Sequence, residues 1–291
     1  QTWSGGWGTY RVFSADTEEI PSLVMGIEDY SLLYRLAEHG NRPIVEVDCR
    51  ARFTGTQPAF NTIAMIRGTE KPDEYIVLSG HFDSLDGASG AVDNGTGSMI
   101  MMETARILKK VYPSPKRTIV VGLWGSEEQG LNGSRAFVED HPEIMKGLQA
   151  AFNQDNGTGR VVNISGQGFL SAGAFIADWL TRTPSEVTRH IDTNFPGFPG
   201  GGGSDYASFV AAGVPGFSVS SLNWAYGPYT WHTNRDTYDK IVFDEVRNNV
   251  VLVASLAYLA SEDPELMPRD RRLLPLNPRT GERMEWPTPR S

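Results

Sequence analysis

Cysteine is almost absent from this chain: Cys49 stands alone among 291 residues, so no intrachain disulfide can form. A lone cysteine in an apolar stretch is more often simply buried than reactive. Basic residues are in deficit as well, with 26 Lys and Arg against 35 Asp and Glu, a formal net charge of −9. No basic stretch exists to neutralise phosphates, which argues against nucleic acid as a partner. No apolar run reaches the ~20 residues that a membrane-spanning helix needs. The best candidate, 250–260, reads as a core helix. The opening Gln1-Thr2-Trp3-Ser4-Gly5-Gly6 lacks the basic start and apolar stretch of an export signal, as a mature or truncated form would. No internal repeat is present. What the chain does have is apolar mass: hydrophobic residues make up 40%, enough for a sizeable core.

The first 52 residues differ from the rest. A helix is expected over 28–38, with Leu32, Leu33 and Leu36 near one face, and a short strand over 44–47. That is too little for a core of its own, so the segment belongs to a larger unit or packs on the domain C-terminal to it. From Asn61 onward, strands alternate with helices. Strands are expected at 62–67, 75–79, 118–123, 150–153 and 216–219, and helices at 97–111, 134–140, 171–182, 206–212 and 243–261. Such alternation implies a mostly parallel sheet with helices on both faces. Ligands bind such sheets outside the carboxyl ends of the strands. The Pro- and Arg-rich end, 266–291, reads as an extended tail.

Polar motifs gather at those strand ends. Glu127-Glu128 sits just after a predicted strand, in Trp124-Gly125-Ser126-Glu127-Glu128-Gln129-Gly130. Two adjacent carboxylates repel, and bound cations offset that repulsion; one can bind a metal while the other moves a proton. Gly80-His81-Phe82-Asp83-Ser84 offers a histidine with Asp83 placed to orient its ring. Asp93, in Asp93-Asn94-Gly95, suits either a helix cap or a carboxylate shared by two metals. Asp155 sits in what could be an ordinary Asn-Gly turn, and His232 in a loop with Asp236 four residues on. Each motif alone has a bland explanation. Together they supply two His, two Asp and one or two Glu from separate segments. That donor set suits a pair of zinc ions ~3.5–4 Å apart better than magnesium, which takes oxygen ligands. Matches to the glycosylation sequon at Asn94, Asn132, Asn156 and Asn163 are short enough to arise by chance.

In this order the motifs resemble those of the co-catalytic zinc exopeptidases, the family of bacterial leucyl aminopeptidases and glutamate carboxypeptidase. The resemblance covers about residues 55–265. Within the family the chain most resembles the plasma glutamate carboxypeptidase (carboxypeptidase Q) branch, through Pro115-Lys116-Arg117-Thr118, Ala212-Gly213-Val214-Pro215-Gly216 and Glu265-Leu266-Met267-Pro268-Arg269. It implies a three-layer α/β/α sandwich around a mixed, mostly parallel sheet of the phosphorylase/hydrolase-like kind. Residues 1–52 would be the last part of a protease-associated-like insert, 53–265 the catalytic domain and 266–291 the tail.

The resemblance also implies roles. His81, Asp93 and Asp155 would bind one zinc and Asp93, Glu128 and His232 the other, with Glu127 as general base and Asp83 supporting His81. Tyr226 is the first choice of oxyanion donor, because Gly227-Pro228 would hold it on a turn; Tyr229 is the alternative, and both could merely line a wall. Ser204 and Asp205, after four glycines, would contact substrate or cap the helix from Tyr206. The expected partner is a peptide substrate, and a homodimer is compatible with the family. Its known members lean toward a secreted or periplasmic location. Two other classes compete: a glutaminyl-cyclase-like acyltransferase, usually mononuclear, and a non-catalytic binding protein on the same fold.

Overall fold

The computed structural model describes residues 25–48, 55–85 and 87–288. Its strands are β1 Thr62–Ile66, β2 Lys71–His81, β3 Arg117–Trp124, β4 Leu148–Asn153, β5 Val161–Ser165, β6 Asp192–Asn194 and β7 Gly216–Ser221. They form one sheet in the order β1-β3-β2-β4-β7-β5-β6. The centre, β3-β2-β4-β7, is parallel; β1 and β5 run antiparallel to β3 and β7, and β6 is parallel to β5. The helices are α1 Ile27–Glu38, α2 Thr96–Val111, α3 Asn132–Asp140, α4 Pro142–Gly147, α5 Ala172–Arg182, α6 Ser185–Thr188, α7 Tyr206–Ala211 and α8 Phe243–Glu262.

Side chains alternate across each strand, so the central strands feed two cores. Ile76, Leu78, Ile119, Val121 and Phe152 face one way, onto α2, α5 and α8 through Ile100, Met101, Trp179 and Leu256. Val77, Val120, Trp124 and Ala151 face the other way, onto Phe137 of α3, Met145 of α4 and Phe209 of α7. Three layers result, as the alternation predicts.

The sheet edges depart from the expectation. β5 is short, with Asn163 interrupting Val161, Val162 and Ile164, and β6 is Asp-Thr-Asn with every residue exposed. Backbone pairing, not burial, makes β6 a strand, whereas β5 also buries Val161 and Ile164 in the core. The expected strand at 44–47 does not form; Ile44 is exposed, and no described strand pairs with the segment. Helix α1 forms where expected, but none of its residues is buried. Cys49 lies outside the described residues.

β3 opens on a fully buried arginine. The Arg117 guanidinium donates to the Glu74 carboxylate at 2.7 Å and to the carbonyls of Ala260, Ser261, Asp263 and Glu265 beyond and at the end of α8. It thereby satisfies carbonyls that a helix end leaves without partners. The C-terminal segment is packed onto the domain: Met267 and Leu274 are buried, and the Trp286 indole donates to the Val210 carbonyl at 2.8 Å.

Candidate metal centre

Parallel pairing places the strand ends side by side. His81 at the end of β2 is in register with Trp124 at the end of β3, and Ser79 with Asn153 at the end of β4. The residues just beyond therefore emerge at one edge: Asp83 after β2, Glu127 and Glu128 after β3, Asp155 after β4. A buried hydrogen-bond chain locks these ends together. The Trp124 indole donates to Ser79 (2.8 Å), the Ser79 hydroxyl to Asn153 (2.6 Å), and the Asn153 amide to Ser204 (2.7 Å).

Asp93 arrives from a wide turn, Ala91–Gly95, that leads into α2. Its backbone is non-helical, and the Asp93-Asn94 peptide is cis. Asn94 bonds outward on both sides, to the Gln154 carbonyl (2.9 Å) and from the Gly97 N–H (3.1 Å). Only glycine fits at 97, because a Cβ there would stand 2.1 Å from the Asn94 oxygen and 2.4 Å from the Gln154 carbonyl. That close approach accounts for the glycine two residues beyond Gly95.

The two oxygens of Asp93 face two different partner sets. Oδ1 lies 3.3 Å from His81 Nε2, which is 2.9 Å from Asp155. Oδ2 lies 3.6 Å from His232 Nε2, which is 3.1 Å from Glu128. Among the described residues, His81, Asp93 and Asp155 form one group whose ligand atoms lie within 4.8 Å of one another, and Asp93, Glu128 and His232 form a second. A third grouping, His81 with Glu127 and Glu128, meets the same limit, so Glu127 borders both. His232 has a left-handed backbone (φ 55°), and its ring stacks on Trp231 at 4.0 Å.

The electrostatics follow from burying several carboxylates with two imidazoles. Burial opposes charge on His81, but Asp155, with help from Asp83 and Asp93, holds its pKa well above the usual histidine value. Burial, then repulsion from Asp155, pushes Glu127 well above the usual glutamate range. Burial also lifts Asp155 to about 6, against the pull of His81. Asp93 stays below its usual value despite burial, because His81 and His232 favour its charge. Glu128 Oε1 is buried with no hydrogen-bond partner. A buried carboxylate oxygen without a donor is costly, and a cation would supply what is missing. Imidazole nitrogens and carboxylate oxygens in this arrangement fit zinc.

Asp83 lies against His81, and mainly through its backbone. Its backbone carbonyl, 2.9 Å from Nδ1, orients the His81 ring, while its carboxylate lies 3.7 Å away. That carboxylate instead accepts the N–H groups of Glu127 (3.0 Å) and Glu128 (3.3 Å). A second carboxylate does the same for another turn: Asp236 accepts the N–H groups of Val92 (2.6 Å) and Asp93 (2.9 Å).

The remaining candidates divide. Tyr226 packs on Gly157, whose own φ is +85° and whose Cβ would come within 3.0 Å of the ring. Burial first, then the nearby carboxylates Asp93, Asp155, Glu128 and Glu127, push the Tyr226 hydroxyl well above its usual pKa. Tyr229 is exposed, with the Arg235 guanidinium 4.7 Å above its ring. Ser204 and Asp205 are 2% and 0% exposed, so they sit behind the site instead of on a substrate-facing rim. Nor does Asp205 cap α7, since its side chain makes no capping bond. Neither Asp205 oxygen has a hydrogen-bond partner, and burial lifts its pKa to about 7. The nearby Ser134 hydroxyl, which pulls the other way on Asp205, also pairs with the Ser208 hydroxyl at 2.8 Å. Arg160 is held by Glu245 at 2.6 Å, which leaves it poorly placed to bind a substrate carboxylate.

Residues 61–257 match the model of peptidase family M28. Mouse carboxypeptidase Q is 30% identical over 254 residues, which are 86% of this chain and 52% of that protein. The chain thus spans about half the length of the curated relatives it matches. A peptidase M28 precursor from Shewanella amazonensis is similar in structure, with TM-score 0.63 and 27% identity over 74% of this chain and 46% of that one. A zinc aminopeptidase from Bacillus subtilis superposes with TM-score 0.57 at 23% identity, covering 72% of this chain and 52% of its own, a likeness of fold alone.

Proposed function

The chain belongs to peptidase family M28, and from that premise we propose a zinc-dependent exopeptidase that hydrolyses dipeptides or short peptides. One observation carries the reading: the two oxygens of Asp93 face two separate histidine-carboxylate pairs. His81, Asp93 and Asp155 would hold one zinc, and Asp93, Glu128 and His232 the other. When bound, the two ions supply Lewis acidity toward a water and a peptide carbonyl.

The chain's own residues do the rest. Glu127 takes the proton of the attacking water at its carboxylate and later delivers it to the leaving amine. Its burial among other carboxylates favours holding that proton, and cations bound beside it would bring the affinity back toward the working range. Asp83 fixes the Glu127-Glu128 backbone through two N–H groups. Tyr226, half-buried beside the cluster, keeps its hydroxyl protonated and can donate to the developing oxyanion. Ser204 supports Asp155 and the end of β4.

The paired donor sets favour this reading over a mononuclear cyclase-like centre, which has no use for a shared aspartate. A full ligand set speaks against a binding protein that has lost its metals. The names of the relatives, carboxypeptidase Q and a zinc aminopeptidase, support a peptide substrate and zinc. A secreted or periplasmic location belongs to the same proposal, as do a catalytic domain at 53–265 and an insert-derived segment at 1–52. No described helix is long and apolar enough to cross a membrane.

The test is mass spectrometry of a dipeptide and peptide mixture, with zinc and with chelator, beside zinc analysis of two variants. Glu127→Gln is expected to keep both zinc ions and lose about 10²–10⁴-fold in turnover. His232→Ala is expected to lose one ion. Equal zinc loss in both variants would overturn the division of roles, and zinc-independent trimming would overturn the mechanism.

A further inference from the structure

We propose that Asp236 is a positioning residue that sets the bridging carboxylate of Asp93, and thereby both metal positions at once. The inference rests on the metallopeptidase reading and extends it to a residue that binds no metal itself.

The Ala91–Gly95 turn is closed by the Gly95 N–H to the Gly90 carbonyl at 2.8 Å and the Thr96 N–H to the Ala91 carbonyl. The Asp93 backbone sits at φ −119° and ψ 89°. These bonds leave the N–H groups at the start of the turn, those of Val92 and Asp93, without an acceptor inside it. Those N–H groups need another acceptor. Asp236 supplies one carboxylate oxygen to the Val92 N–H at 2.6 Å and the other to the Asp93 N–H at 2.9 Å. Bonds to a charged acceptor are short and strong, and two in parallel fix direction as well as distance. The Asp236 carboxylate is buried, so water does not compete for it.

Asp236 is also anchored. The Ser89 N–H and hydroxyl both donate to its backbone carbonyl, each at 3.1 Å. Ser89 precedes the Asp93 turn, and Asp236 follows His232 by four residues. The turn that carries the shared aspartate and the loop that carries a ligand histidine are therefore tied through one side chain. Asp83 ties the Glu127-Glu128 backbone in the same way from the end of β2. The site thus has two carboxylate clamps, each gripping two successive N–H groups of a ligand-bearing turn. Asp93 belongs to both donor groups, so a shift of its turn moves both ions, whereas loss of a terminal ligand affects one.

The experiment uses the whole chain, stripped of metal and titrated with zinc by calorimetry, and the cobalt-loaded protein read by its visible spectrum. Asp236→Asn replaces one acceptor oxygen with an amide that faces an N–H. Supporting partners of metal ligands are worth about 10–100-fold in affinity. The expected result is that loss in the binding of both ions, with a shifted cobalt spectrum. Asp239→Asn, on the exposed part of the same loop, should match wild type within about twofold. A purely structural role would lower the melting temperature of D236N while leaving zinc affinity and the cobalt spectrum unchanged, and that result refutes the proposal. Weakening of one ion alone also refutes it. If D236N does not fold, Asp236→Glu keeps the charge on a longer arm and is read by the same two outcomes. Wild type that binds no zinc or cobalt would defeat the metallopeptidase reading itself; wild type that binds, beside a D236N that binds equally well, defeats only the role of Asp236.

Discussion

Arg117→Met tests how the domain is held at the end of the sheet away from the site. The arginine is 0% exposed and makes five side-chain hydrogen bonds, one to Glu74 and four to carbonyls. Methionine fills similar volume but offers no donor. The carbonyls of Asp263 and Glu265 lie at the surface and can turn to water. Ala260 and Ser261 are buried and cannot. Two stranded carbonyls at about 1–3 kcal/mol each give about 2–6 kcal/mol. That range brackets the 3–5 kcal/mol typical of breaking a buried ion pair, so we take about 4 kcal/mol. For a chain of this size that corresponds to roughly 8–16 °C in melting temperature. Calorimetry in a fixed excess of zinc measures it, since metal binding otherwise shifts the transition by mass action. Arg117→Lys, with a charge but no fork, should fall between wild type and R117M. The site lies at the other end of β3, a span of ~23 Å at strand geometry, so kcat should change less than about twofold. A melting shift under about 2 °C for R117M would refute the account of how α8 is tied to the sheet.

Two further outcomes concern the site. Tyr226→Phe should lower kcat by about 10²–10³-fold with KM nearly unchanged, whereas Tyr229→Phe should cost far less; the reverse ranking would reassign the oxyanion donor. Asp205, lifted by burial to about 7, holds a proton in the folded state that the unfolded chain releases near ~3.9. Its contribution to stability is therefore largest in acid and falls as pH rises from about 4 to about 7. Urea unfolding of metal-free wild type and Asp205→Asn at about pH 5 and about pH 8 should show the variant gaining relative to wild type at the higher pH. A pH-independent difference would mean that Asp205 does not titrate as its burial requires.

Much of this site is readable from sequence, for a physical reason. His81, Glu127, Glu128 and Asp155 lie at strand ends or within four residues of them, and parallel strands bring such ends to one edge whatever the details of packing. Alternation along β2, β3 and β4 fixes which side chains enter each core, so three layers follow from the pattern of Ile76, Val77 and Leu78 alone. Donor chemistry then favours zinc over magnesium. Local sequence therefore determined the central sheet, the set of candidate donor residues and the placement of most of them.

Tertiary structure decided what depends on groups distant in the chain. Asp83 orients His81 with its carbonyl and turns its carboxylate to the Glu127-Glu128 backbone, a division that no spacing encodes. Asp236 is an ordinary turn aspartate in sequence and a clamp on the Asp93 turn in space. Ser204 and Asp205 look like loop residues after a glycine run, yet α7 carries them into the interior behind Asp155. β6 exists because β5, itself paired to β7, offers it an edge; the side chains of β6 carry little signal of it. Arg117 stands in sequence only as part of a four-residue motif before a strand, and in space it is a fully buried charge, because carbonyls beyond and at the end of α8 take its donors. Periodicity reports burial along one element, and hydrogen-bond partners across the chain are set only once those elements meet.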